Sequence, residues 1–236
     1  MSKVQITEEH IQFSSSGNRL EGILSYPDDD APQGSVLFLS PHPHMGGNMD
    51  NNVIRHLSRR FSEEGALSLR FNYRGVGKSE IDLPEELSLF EYWAALESEE
   101  RYDDLMPDVR AAHDALEGTM PGRLPLTVIG YSLGGILALK MAQEKYARRV
   151  VAISPPNKKR SLPDFRTIST PLHCIGGEQD FVFDPDALAQ CISDAQSDAT
   201  LTRLPDVDHF FRKQEDELFQ HLWGAVAEQP NVNEID

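Results

Sequence analysis

The residues with the clearest chemical potential are Gly130-Tyr131-Ser132-Leu133-Gly134-Gly135, which fit the pattern Gly-x-Ser-x-Gly. They follow an apolar run at 124–129 and precede a stretch that predicts a helix from about Ile136. A serine on a tight turn between a strand and a helix adopts a strained backbone, and small residues two positions away let the two elements approach. We therefore predict that Ser132 is a nucleophile and that the Leu133 N–H group stabilises developing negative charge. The alternative is a glycine-rich turn that binds phosphate or only packs.

A serine hydroxyl needs a base, and the base needs a carboxylate to orient it. Candidates for both occur later in the chain, where predicted strands end. Gly176-Gly177-Glu178-Gln179-Asp180 follows one strand, and Asp206-Val207-Asp208-His209 follows the next. We predict Asp180 as the orienting carboxylate and His209 as the base, with Glu178 as the alternative acid.

A third polar segment, Pro41-His42-Pro43-His44-Met45-Gly46-Gly47, follows another predicted strand. A loop at this place is expected to supply the second donor of an oxyanion hole. Because Pro43 has no N–H group, we predict His44 as that donor, with Met45 as the alternative. The spacing of His42 and His44 also suggests metal ligands, but no cysteine or third histidine pairs naturally with them. We therefore expect neither a metal nor another cofactor.

The elements that must position these residues alternate along the chain after an opening hairpin. The extended segments are 4–13, 20–26, 36–39, 67–71, 124–129, 150–153, 172–175 and 200–204. Apolar stripes predict helices at 53–61, 105–116 and 218–226, and Asp184 before Pro185 is typical of a helix N-cap. This alternation predicts an α/β fold, a three-layer sandwich with a mostly parallel eight-stranded sheet and helices on both faces. We expect a single domain over 1–228 and a flexible tail over 229–236.

One segment, 80–104, interrupts the alternation between a strand and the helix that should follow it. Apolar and aromatic residues at helical spacing predict an inserted helix there. This helix is either a small lid over the site or a cover for the edge of the sheet. We take Trp93 and Tyr92 of this helix, together with Met45 and Tyr131, as candidate substrate contacts.

The motifs together resemble those of the α/β-hydrolase superfamily over nearly the whole chain. Besides the segments above, Asn72-Tyr73-Arg74-Gly75-Val76-Gly77-Lys78-Ser79 carries the match. The chain is similar above all to small, nearly lidless bacterial serine hydrolases related to dienelactone hydrolases, whose oxyanion loop begins His-Pro-His-Pro. Three departures stand out: Met45 replaces the second proline, Ser132 stands where dienelactone hydrolases proper have cysteine, and the segment 80–104 is inserted.

The resemblance implies a serine hydrolase of the carboxylesterase class that cleaves carboxylic esters through an acyl-enzyme. In that mechanism His209 takes the proton of Ser132, and the N–H groups of Leu133 and His44 hold the oxyanion. Three alternatives remain open on the same fold: a peptidase or amidase, an acyltransferase, and a binding protein without catalytic activity.

Charge and composition exclude other classes of protein. The chain has 236 residues, with 22 basic and 38 acidic side chains and a net charge of −16, which argues against nucleic acid or an anionic membrane as partner. No window approaches the roughly 20 apolar residues of a membrane span. We therefore expect a cytoplasmic protein that acts on a small ester and leave a homodimer open. Ten of the acidic residues lie in 80–104. If this segment lies over the site, its negative charge should disfavour the binding of anionic esters, unless Lys158, Lys159 and Arg160 offset that charge.

Overall fold

Within the part of the chain that the computed structural model describes, residues 4–28, 30–119, 122 and 124–227, eight strands form one sheet. The strands are β1 (Ile6–Ser15), β2 (Asn18–Pro27), β3 (Gly34–Leu39), β4 (Ala66–Phe71), β5 (Leu126–Tyr131), β6 (Arg149–Ile153), β7 (Leu172–Gly177) and β8 (Thr200–Leu204). Their spatial order is β1-β2-β4-β3-β5-β6-β7-β8. The β2 strand is antiparallel to both of its neighbours, and the other pairs are parallel. The predicted mostly parallel sheet is confirmed, and the predicted tail lies outside the described residues.

Six α-helices of the described chain cover this sheet. They are α1 (Asn52–Glu63), α2 (Leu89–Ser98), α3 (Met106–Glu117), α4 (Leu133–Glu144), α5 (Pro185–Asp194) and α6 (Glu215–Ala227). Helices α1 and α6 contribute to one apolar core, whereas α2, α3, α4 and α5 contribute to a second. Alternate residues of β3 divide between these cores, because successive side chains of a strand point to opposite faces. The sheet is therefore the middle layer of three, as predicted.

Two helix starts show how local chemistry sets the element boundaries. Helix α4 begins at Leu133, three residues before the predicted Ile136, because Ser132 itself is its N-cap residue. Helix α5 begins where the cap was predicted, and the Asp184 carboxylate accepts the N–H groups of Asp186 and Ala187. No helix in the described residues is both long and apolar enough to cross a bilayer.

The inserted segment contains α2 and then a short 3-10 turn, Tyr102–Leu105, that leads into α3. Helix α2 begins with a capping box, in which the Ser88 hydroxyl accepts the Glu91 N–H group and the Glu91 carboxylate accepts the Ser88 N–H group. Tyr92, Trp93 and Leu96 are buried against the second core. The apolar stripe of α2 therefore faces the body of the protein.

Candidate active site

The predicted nucleophile lies on a turn that only small neighbours permit. Ser132 follows β5 with φ 57° and ψ −116°, a conformation that is rare for a residue with a side chain. A Cβ atom on Gly130 would overlap the backbone of Gly134, and a Cβ atom on Gly134 would overlap the carbonyl group of Leu39. Strand and helix thus approach so closely that glycine is required at both positions. The spacing of the motif has this physical cause.

Ser132, His209 and Asp180 form one hydrogen-bonded line at the carboxyl edge of the parallel strands. The Ser132 Oγ atom lies 3.2 Å from His209 Nε2, and His209 Nδ1 lies 2.7 Å from Asp180 Oδ2. All three residues are less than a tenth exposed. The structure therefore brings together the three residues that the chain order of the motifs singles out.

Backbone and side-chain donors hold the Asp180 carboxylate in its charged form. Burial raises its pKa, but hydrogen bonds from His209 and from the Val182 N–H group outweigh burial, so the net shift is downward. The Asp180 Oδ1 atom accepts the N–H groups of Val182 at 2.8 Å and Phe183 at 3.0 Å. The Ser154 hydroxyl also contributes to the lowered pKa, although it makes no hydrogen bond of ordinary length to a described residue. The carboxylate therefore stays charged beside the His209 ring.

Tyr131 does not lie where a substrate contact would be. Its ring is 2% exposed and packs in the first core beside Phe211, and its hydroxyl donates to the carbonyl oxygen of His209. Burial raises the pKa of this phenol. The assignment of Tyr131 as a substrate contact is therefore wrong, because β5 turns this side chain into the core, where it positions the loop that carries His209.

The loop after β3 is a short 3-10 turn, Pro43–Met45, whose N-cap is His42. The predicted oxyanion donor, the His44 N–H group, donates to His42 Nδ1 at 3.2 Å, and the Met45 N–H group donates to the His42 carbonyl at 3.0 Å. Neither donor is free in this conformation, because the turn uses both to satisfy its own cap. By contrast, the Leu133 N–H group begins α4 and makes no hydrogen bond within the described chain.

Burial keeps the His42 ring in its neutral form. The ring packs edge-on against Trp93, with their centroids 5.3 Å apart. Burial lowers the pKa of His42 more than the nearby Glu97 carboxylate raises it. A neutral ring has one unprotonated nitrogen, and the hydrogen bond from the His44 N–H group assigns it to Nδ1, so that the proton lies on Nε2.

A cavity of about 340 Å³ opens over Ser132, and α2 forms one of its walls. The residues of α2 that line the cavity are Ala94, Glu97 and Ser98. The predicted contacts Tyr92 and Trp93 do not line it, since they belong to the buried stripe on the opposite side of the helix. The assignment of Tyr92 as a substrate contact is therefore wrong, whereas Trp93 lines a neighbouring cavity and its assignment stays a prediction.

The remaining predicted contact, Met45, does line the cavity, and its side chain is 60% exposed. Two lining residues were not among the predicted contacts. Phe181 is 47% exposed, and its ring centroid lies 5.3 Å from that of His209. Its place directly after Asp180 was the available sequence signal. Lys159 also lines the cavity, so part of the basic segment noted in the sequence faces the site.

Glu97 was not predicted either, and it connects three parts of the cavity wall. Its Oε1 atom accepts Arg160 Nε at 2.8 Å and Arg160 Nη2 at 2.7 Å. Its Oε2 atom accepts the Tyr102 hydroxyl at 3.3 Å and lies 3.8 Å from His42 Nε2. A charged residue on the side of α2 away from the apolar stripe was the only signal in the sequence, and such residues are ordinarily solvated.

Relatives of this chain are found in both sequence and structure. An uncharacterized protein of Rickettsia prowazekii is 26% identical over 218 residues, which cover 88% of this chain and 84% of that protein. The fold is similar to that of a lidless α/β serine hydrolase from Xanthomonas campestris, with a TM-score of 0.79, 22% identity and coverage of 96% and 97% of the two chains. It is also similar to an α/β serine hydrolase homologue from Coxiella burnetii, with a TM-score of 0.76, 21% identity and coverage of 91% and 95%.

The structural likeness shows the α/β-hydrolase fold. The sequence model of the dienelactone hydrolase family matches residues 21–231, which is most of the chain. The resemblance inferred from the motifs is thereby confirmed, and with it a place among hydrolases. The chain belongs to the dienelactone hydrolase family.

Proposed function

We propose that this protein hydrolyses carboxylic esters, with Ser132 as nucleophile, His209 as general base and Asp180 as the carboxylate that orients the base. The observation that carries the proposal is the buried line of hydrogen bonds, 3.2 Å from Ser132 Oγ to His209 Nε2 and 2.7 Å from His209 Nδ1 to Asp180 Oδ2. Dienelactones are cyclic esters, so the family to which the chain belongs supports the same bond type.

The first half of the reaction forms an acyl-enzyme. A charged Asp180 holds the proton on His209 Nδ1, so that Nε2 is the free acceptor. As the Ser132 oxygen attacks the ester carbon, its proton moves to Nε2, and Asp180 stabilises the resulting imidazolium. When the tetrahedral intermediate collapses, the bond to the alcohol oxygen breaks and His209 returns the proton to the leaving alcohol.

The second half reverses these roles with water. A water molecule gives a proton to His209 Nε2 as its oxygen attacks the acyl carbon. The bond to Ser132 Oγ then breaks, the serine regains the proton, and the carboxylic acid leaves. The cavity above Ser132 is open to solvent on the side of the half-exposed residues Met45 and Phe181, which gives water a path to the acyl-enzyme.

Negative charge on the ester oxygen needs donors that are in place before the reaction. The Leu133 N–H group supplies one, and the N-terminal end of the α4 dipole adds to it. We assign the second donor to the His44 N–H group, which would exchange the His42 Nδ1 atom for the oxyanion as the substrate binds. A charged oxyanion is a stronger acceptor than a neutral imidazole nitrogen, so the exchange is favourable.

Replacement of the nucleophile tests the proposal directly. Ser132→Ala should lower the hydrolysis of p-nitrophenyl acetate by about four to six orders of magnitude, as in other serine triads. It should also abolish covalent labelling by a fluorophosphonate probe. The matched control is Ser193→Ala, which removes the same hydroxyl from an exposed position on α5. Unchanged labelling and activity in Ser132→Ala would overturn the assignment, and a wild-type protein that neither labels nor hydrolyses esters would favour a binding protein.

A further inference from the structure

A second cavity, of about 350 Å³, lies beside the first and contains none of the proposed catalytic side chains. It is lined by the loop after β3, by the glycine-rich turn Gly75–Gly77 after β4, and by Leu89, Phe90 and Trp93 of α2. His44 lines both cavities, so it stands between them. It is the one residue that the two linings share among the described residues.

The His44 side chain, which belongs to both linings, faces solvent together with Phe90 of the second cavity. The His44 and Phe90 rings stack with their centroids 4.4 Å apart and their planes at 18°. Phe90 is 69% exposed, and His44 is exposed as well. Exposed side chains change rotamer within nanoseconds, whereas a backbone wall would not yield. A bound molecule can therefore lie across this pair of rings.

Exposed apolar side chains concentrate around the two cavities. Six large hydrophobic residues of the described chain are exposed, and four of them line one cavity or the other. These four are Met45, Leu89, Phe90 and Phe181. Exposed apolar surface gathered in one place, rather than scattered singly, marks a binding site.

The chemistry of the second cavity differs from that of the first. Glu97, Lys159 and Arg160 line the first cavity, whereas no Asp, Glu, Lys or Arg of the described residues lines the second. The second cavity instead has the buried side chains of Val76 and Trp93 among its lining. Such a cavity disfavours a charged group, which would lose its hydration without gaining a partner.

The glycines of the β4 turn keep this cavity open. Gly75 has φ 73°, in the left-handed region, and a Cβ atom there would lie 2.5 Å from Leu89 Cδ1. Leu89 therefore packs directly on the backbone of the turn, and no side chain from position 75 enters the space. The cavity results from the approach of α2 to a turn without side chains.

We infer that the second cavity binds an apolar chain of the ester, with the His44 and Phe90 rings as the surface over which the chain passes from Ser132. The inference rests on the proposed ester hydrolysis and names its substrate class: uncharged esters that carry a straight apolar chain longer than acetyl. The volume lies within the roughly 300–1,000 Å³ of ligand pockets, near the lower end. The chain belongs either to the acyl group or to the alcohol.

Two ester series distinguish these sources. One compares p-nitrophenyl octanoate with p-nitrophenyl acetate, and the other compares octyl acetate with ethyl acetate. For wild type, kcat/KM should be higher for the long ester in at least one series. In Phe90→Ala and in Leu89→Ala, the ratio of kcat/KM for the long ester to kcat/KM for the short ester should fall about tenfold in that series, because an apolar contact is lost. The matched control is Tyr146→Ala, an exposed aromatic residue beyond the far end of α4, which should leave both ratios unchanged.

A binding measurement separates failure of the cavity from failure of the chemistry. In the Ser132→Ala background, calorimetric titration should show tighter binding of octyl acetate than of ethyl acetate, and Phe90→Ala should remove most of the difference. If wild type cleaves no ester but this difference in binding is found, the cavity is supported and the catalytic proposal fails. If esters are cleaved but neither the kinetic ratios nor the binding difference responds to Phe90→Ala or Leu89→Ala, the inference is overturned and the catalytic proposal stands.

Discussion

The charge of Glu97 offers a sharp test of how α2 contributes to the site. Its carboxylate holds Arg160 through contacts of 2.7 and 2.8 Å and faces the cavity above Ser132. Glu97→Gln keeps the size of the side chain but removes the one negative charge among the described residues that line the cavity, while Arg160 and Lys159 remain in the lining. We expect esters with an additional carboxylate to gain relative to neutral esters.

The magnitude follows from the exposure of the group. The Glu97 side chain is 33% exposed, so the effective dielectric constant lies between about 20 and 80. At a separation of roughly 6 Å, the repulsion between the Glu97 carboxylate and a carboxylate on the bound ester then amounts to about 2.8 to 0.7 kcal/mol. Solvent screening of partly exposed charges favours the lower part of this range. A change of about 1 kcal/mol corresponds to about fivefold in kcat/KM.

The assay compares kcat/KM for mono-p-nitrophenyl succinate and p-nitrophenyl acetate. The matched control is Glu80→Gln, which makes the same change of net charge in the same inserted segment, where Glu80 pairs with Arg19 and does not line the cavity. The ratio of charged to neutral ester should rise about fivefold only in Glu97→Gln, and about 0.5 M NaCl should reduce the effect. An equal rise in both variants, or a rise that salt does not change, would refute the reasoning.

Two further predictions concern positioning and acid stability. Tyr131→Phe removes the hydroxyl that donates to the His209 carbonyl. We expect kcat to fall about tenfold and the free energy of unfolding to fall by about 1–2 kcal/mol. An unchanged kcat would show that this hydrogen bond does not position His209. Burial, with the nearby charges of Arg149 and His221, lowers the pKa of His173 from 6.5 to about 4. Between these two pH values the unfolded chain binds a proton at His173 that the folded chain does not bind. The contribution of neutral His173 to the free energy of unfolding is therefore complete above pH 6.5, and about 3 kcal/mol of it is lost as the pH falls to 4. In urea unfolding at several pH values, His173→Asn should show a smaller loss than wild type; equal losses would contradict the linkage.

The sequence was sufficient for the layers of the fold. Uninterrupted apolar runs are typical of strands buried on both faces, and the observed strands β3 to β8 match those runs closely. The helices are predicted well where a stripe and a stop signal coincide, as for α1 before Gly65. Helix α5 could be predicted only at its start, because Asp184 and Pro185 mark its cap while its body buries Leu188 alone.

The sequence also sufficed to nominate Ser132, Asp180 and His209. Each lies in the segment that follows a strand, and the carboxyl ends of parallel strands meet along one edge of a sheet, so chain order brings such residues together. Ser132 carries the further signal of two glycines, which the contacts of Gly130 and Gly134 explain.

Which side of α2 lines the cavity above Ser132 depends on tertiary packing. The spacing of Tyr92 and Trp93 predicts a helix, but it does not show what the stripe packs against. Both aromatic side chains are buried in the second core, so Ala94 and Glu97 line the cavity above Ser132 instead. Local sequence likewise does not show whether a single backbone N–H group is free to donate a hydrogen bond to a ligand. His44 follows a proline as predicted, yet its donor is committed to His42 because a buried, neutral ring happens to lie within reach. Local patterns determine elements and their order, whereas the rotation of a helix and the partner of a donor depend on packing between segments distant in the chain.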